Sequence, residues 1–256
     1  MTSGGIIISQ IPKSFEAHTT INIQGQNWEV IEAKPITSEE FCITGKLELF
    51  LRKINVESIP AEDILYLLPT ISDELPAVKV GSSKIGKKVL EIHEDDWRQI
   101  EFVSVEFENE VDIHMDQVKL VYQRGSKKID DFTAFTELYV RKGLAQPIVN
   151  NRIPLSELIS YFVDGDIIDG LAYQRVAGTV ENGFALKIDT GLYFYGLEKE
   201  GFVEVLCLKF VNRSSISSEV IDAISNIIQK YELIMVDWCA LVKAKASDSV
   251  KEYFGS

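Results

Sequence analysis

The stretch SSEVIDAISNIIQKYELIMVD, Ser217 to Asp237, joins two kinds of periodicity. Val220, Ile221, Ile224, Ile227, Ile228 and Tyr231 recur at helical spacing and form one apolar stripe, which predicts a helix over 217–231. Ser217 is placed to cap it through its hydroxyl, and Ile216 and Ile221 to pack as a staple across the cap. Leu233 onward is a continuous β-rich apolar run, which predicts a strand over 233–242. An amphipathic helix followed at once by a buried strand points to helices packed on a sheet.

Further out, Val111, Met115, Val118 and Tyr122 predict a helix over 109–123, ended by Gly125 in the left-handed conformation. A shorter helix is expected after Pro154, and another from Pro60 to Leu68, stopped by Pro69. Alternating or β-rich segments predict strands at 19–23, 28–33, 46–52, 88–93, 99–107, 185–188, 192–195 and 203–211. Residues 24–27 and 189–191 read as hairpin turns. Residues 129–141 fit helix or strand equally.

Three pairs of segments match in the same order. Trp28–Glu32 resembles Trp97–Glu101, Glu48–Lys53 resembles Glu137–Lys142, and Ile59-Pro60 matches Ile153-Pro154. A looser third copy runs from Val203 to Phe254. The predicted class is therefore α+β, with mostly antiparallel or mixed sheets, few amphipathic helices and internally repeated strand–helix–strand units. A boundary is expected in the loop 146–152, giving α+β units at 1–146 and 147–256, or one compact domain.

The 256 residues are 46% hydrophobic and 25% charged, ordinary globular values. Asp and Glu total 39 against 26 Lys and Arg, a net charge of −13. That field repels nucleic acid and anionic lipid. Cys42, Cys207 and Cys239 lie far apart in apolar surroundings, and are expected as buried thiols of a reducing compartment. The short apolar run at Ile6–Ile8 lacks a basic flank, and no run approaches a membrane span. A cytoplasmic protein without membrane or nucleic-acid partners is expected.

Catalytic patterns fail on specific residues. Gly81–Lys88 matches a phosphate-binding loop except that Lys88 stands where a magnesium-binding hydroxyl is needed, and a strand is expected next. Asp164–Gly170 fails as a calcium loop, because Ile168 and Arg175 occupy ligand positions. His18, His93 and His114 have no metal-ligand spacing, and no GxSxG or GxGxxG is present. No cofactor, metal or catalytic residue is assigned.

Between Glu91 and Asp116 lie ten carboxylates and one base, Arg98. A face built from Glu94, Asp95, Asp96, Glu106, Glu108 and Asp112 would steer a basic protein toward the chain. The leading expectation is a non-catalytic protein-binding domain of immunity or adaptor type. One alternative is a hydrolase or transferase pairing His93 or His114 with carboxylates. The other is a scaffold of tandem units, which would form a homo-oligomer.

Overall fold

The computed structural model describes residues 14–16, 19–23, 25–54, 64–79, 82, 87–148, 152–162, 165–174, 176, 178–211 and 216–255. The chain divides into two compact units, Met1–Ala61 and Glu62–Ser256. The expected boundary at 146/147 falls inside the second unit, where strands from both sides of it share one sheet.

The first unit holds strands β1 (Thr20–Ile23) and β2 (Gln26–Lys34), helix α1 (Ser38–Thr44) and strand β3 (Glu48–Lys53). The strands form an antiparallel sheet in the order β1-β2-β3. Gly25, at φ 78, turns the β1–β2 hairpin. Phe15, Val30 and Ala33 are buried, with Ile21, Leu47, Leu49 and Leu51 packed on them. Thr37 caps α1, a helix the sequence periodicity missed because none of its residues is buried.

The second unit begins with β4 (Thr70–Ser72), β5 (Val89–Ile92), β6 (Ile100–Ser104) and the long helix α2 (Glu108–Gly125). There follow β7 (Ser126–Ile129), β8 (Phe132–Phe135), β9 (Tyr139–Arg141), β10 (Ile153–Pro154) and α3 (Leu155–Ser160). Then come β11 (Asp166–Ile168), β12 (Gly170–Tyr173), β13 (Gly183–Asp189), β14 (Leu192–Lys199) and β15 (Phe202–Phe210). The unit ends with α4 (Ser218–Lys230), β16 (Leu233–Asp237), β17 (Val242–Ala244) and α5 (Ser247–Gly255).

Its main sheet runs β11-β13-β14-β15-β6-β16-β17, every neighbour antiparallel, with β10 paired to β15. The fold is thus a mixed α+β structure. Alternation along each strand divides the core. Phe102, Leu206, Leu233 and Met235 face α3, α4 and α5, packing on Leu158, Ile224, Ile227, Ile228 and Val250. Val103, Ile234 and Val236 face the other way, onto Val111 and Met115 of α2. Beside them, Tyr195, Val205 and Cys207 are covered by the parallel β5–β12 pair and Trp97. Strand β16, between β6 and β17, is buried throughout, which is why its sequence is a continuous apolar run.

Helix α4 begins where expected: the Ser217 hydroxyl accepts from Val220 N–H at 3.3 Å. Full burial of Ile224, Ile227 and Ile228 contributes about 1.5–3 kcal/mol each. Helix α2 begins and ends within two residues of expectation, but Gly125 has another role. It is the last helical residue, and a Cβ there would stand 2.7 Å from Glu137 Cγ, so its small size admits the following chain. Pro60 lies outside the described residues, and 64–68 are not helical.

The ambiguous 129–141 resolves into the β7–β8 hairpin and β9, with Asp130 at φ 49 in the turn. The expected strand 233–242 breaks after Asp237 into a turn and β17. Of the matched segments, 48–53 forms β3 in an antiparallel sheet, whereas β9, within 137–142, pairs in parallel with β4.

Candidate functional site

The acidic stretch runs from β5 through β6 into α2, and the six proposed partner-binding carboxylates meet different fates. Glu94, Asp95 and Asp96 make a short 3-10 turn capped by His93, whose Nδ1 accepts from Asp95 N–H at 3.2 Å. The Asp96 carboxylate accepts from His93 N–H and pairs with Lys209 at 2.7 Å. Glu106 is exposed just before α2.

Glu108 pairs with Lys245 at 2.7 Å and Lys243 at 3.3 Å, and Asp112 pairs with Lys243. Hydrogen bonds from Lys245 and then Lys243 hold the Glu108 carboxyl below its ordinary range. Lysines of β17 and its C-terminal flank thus neutralise the start of α2. Glu101, one of the ten carboxylates of that stretch, is buried, because β6 is covered on both faces.

Glu101 anchors a polar cluster that no linear pattern connects. Its Oε2 accepts from Arg98 Nε at 2.6 Å and its Oε1 from Trp238 Nε1 at 2.8 Å. Arg98 sits at φ 57, in the left-handed region, at a cost of roughly 1–2 kcal/mol. That turn aims its guanidinium at Glu101 and at the Leu144 carbonyl, 3.1 Å away, while its own carbonyl accepts from Arg141 Nη2 at 2.8 Å. Arg141 Nη1 donates to Thr70 Oγ1 at 2.9 Å, joining β9 to β4. Burial pushes the Arg141 guanidinium down to about 10.

His114, on the second turn of α2, faces this cluster. Its Nδ1 lies 2.7 Å from the Tyr139 hydroxyl, and its pKa is lowered by burial and then by Arg141. Together with Ser72, Glu110, Lys142, Gly143 and Leu144, these residues line a small cleft. The hydrogen-bond partner of the His114 ring is thus a tyrosine hydroxyl. His93 serves as a turn cap.

The cysteines divide. Cys207 is buried and Cys239 half-buried, both thiols held protonated by burial, whereas Cys42 is exposed on α1. Lys88 precedes β5, a strand rather than the helix a phosphate loop opens, and pairs with Asp166. Among the described residues no helix is long and apolar enough to cross a membrane.

The outward face of α2 completes the acidic surface. Ile113 is 62% exposed at its centre, and helical spacing places Asn109, Glu110, Asp116 and Gln117 around it. Sequence reasoning passed over Ile113 because it lies off the buried stripe. Comparison with protein-family models, with curated proteins and with solved structures finds no match for this chain.

Proposed function

We propose that the chain is a protein-binding module that receives a basic partner on the outer face of α2. The observation that carries this reading is Ile113, an exposed large apolar side chain flanked one turn away on either side by Glu110 and Asp116, with the exposed Glu106 just before the helix. An apolar anchor inside a charged rim is how a helix face gives a partner both affinity and orientation. The net charge of −13 extends the same attraction to long range.

The lysine pairs of Glu108 and Asp112 narrow the surface first expected. Glu110 and Asp116 flank Ile113, Asp116 being paired with Lys119 at 2.9 Å, while Glu94, Asp95 and Asp96 belong to a separate turn. Unpaired cysteines are consistent with a reducing compartment.

The test replaces Ile113 by a photo-crosslinking phenylalanine derivative in the cells that make the protein, with the same residue at Glu219 on α4 as control. Support is a discrete adduct with a basic protein at 113, absent at 219 and reduced at least several-fold by Glu106→Lys plus Glu110→Lys. Equal adducts at the two positions, or none at 113, would refute this interface.

A further inference from the structure

We propose that Arg98, Arg141, His114 and Lys142 form a site for a small monoanion, a carboxylate or a halide, that enters the cleft with a single atom. This inference is independent of the partner surface on α2.

The first ground is charge. Arg98 and Arg141 are only 6% and 3% exposed, and Glu101, the one buried carboxylate beside them, is 3% exposed. Both Glu101 oxygens are engaged, one by Arg98 Nε and the other by Trp238 Nε1. Among the described residues Arg141 meets only neutral acceptors: the Thr70 hydroxyl, the Arg98 carbonyl and, at 3.5 Å, Gln99 Oε1. Its remaining neighbour is the face of Trp238. Two buried guanidiniums thus share the one buried carboxylate, with the exposed Asp73 adding charge near Arg98, so an anion beside Arg141 gains more than the same anion at the surface.

The second ground is size. The cleft has room for about 10 Å³, which matches one water-sized sphere. A chloride or one carboxylate oxygen suits that space. Gly143 shapes the wall: its N–H donates to Asp73 Oδ1 at 2.8 Å, and a Cβ there would stand 2.9 Å from Arg98 Nη1.

The third ground is the mouth. Lys142 and Glu110 are both exposed and both line the cleft, and the carboxylate favours a single charge over a dianion. His114 supplies a ring nitrogen at the same opening.

The experiment follows the Nε–H signals of Arg98 and Arg141 by nitrogen-15 NMR on the whole chain. Sodium chloride, sodium formate and sodium gluconate are titrated at constant ionic strength. The expected result is a saturable shift of these signals with chloride, formate or both, and none with gluconate, whose bulk cannot enter. Which small ion saturates at lower concentration identifies the source as halide or carboxylate.

Lys142→Ala, at an exposed position, should raise the midpoint several-fold while leaving the melting temperature unchanged. A drift common to all three salts, without saturation, would overturn the site. So would a midpoint unchanged in Lys142→Ala and also in His114→Gln.

Discussion

The guanidinium carbon of Arg141 lies 4.8 Å from the centre of the Trp238 ring, and the same indole donates its N–H to Glu101. Trp238 therefore serves the two buried arginines in different ways, supporting one through its face and the other through the carboxylate it holds. Trp238→Phe keeps the face and leaves Glu101 Oε1 without its donor. It is expected to cost about 1–3 kcal/mol in urea unfolding. Trp238→Leu, which removes the ring as well, should cost more, and equal losses for both would show that the stack contributes nothing.

Arg141→Lys tests the fork. Arg141 reaches Thr70 and the Arg98 carbonyl with two different nitrogens. A lysine offers one point of donation, so one buried acceptor loses its partner. The expected loss is about 1–3 kcal/mol by the same measurement, despite the retained charge.

His114 gives the chain an acid sensitivity with a definite sign. Its folded pKa lies below the unfolded value of 6.5, so the unfolded chain binds the proton first. The stability this contributes is fully present above 6.5 and is lost as pH falls from there toward the folded pKa. His114→Gln, which can still bond the Tyr139 hydroxyl, should flatten the melting-temperature profile between about pH 5 and pH 7. An unchanged profile would place the acid response elsewhere.

At Ile224, fully buried in the face shared by α4 and the main sheet, substitution by Asp should abolish cooperative thermal unfolding. Ser217→Ala should remove only the cap, at about 1 kcal/mol.

Gly196 lies opposite Leu206 in the β14–β15 ladder. A Cβ at Gly196 would come within 1.8 Å of the Val205 carbonyl oxygen, so the strands cannot accept it without separating. Gly196→Ala is expected to destabilise by about 3 kcal/mol or more, readable as a lowered urea midpoint.

What was legible in the residues was whatever one segment decides alone. The α4 stripe, its Ser217 cap and the alternation through β13 to β15 state their own structures, because a single element buries a single face. Strand β4, of three residues, was hidden and β9 left ambiguous, since each exists only through the other. Gly125 was misread because its neighbour Glu137 arrives from outside the helix.

The site was less legible. Arg98 stood out as the one base in an acidic run, and Glu101 lies three residues on, but their companions Arg141 and Trp238 come from two distant segments. The acidic residues could be counted from sequence. Their neutralisation by Lys209, Lys243 and Lys245 could not, because those lysines lie between 113 and 137 residues away in sequence order.

Strand β6 sits between β15 and β16, which follow it much later in the chain. During synthesis, β6 and α2 therefore leave the ribosome long before either flanking strand exists. Their apolar sides must wait for the last part of the chain, so folding of this unit is dominated by late, long-range closure and is slow for its size. A product ending before Leu233 would present β6 with an open edge, a ready template for aggregation. The integrity of the C-terminal strand pair thus decides whether the newly made chain survives at all.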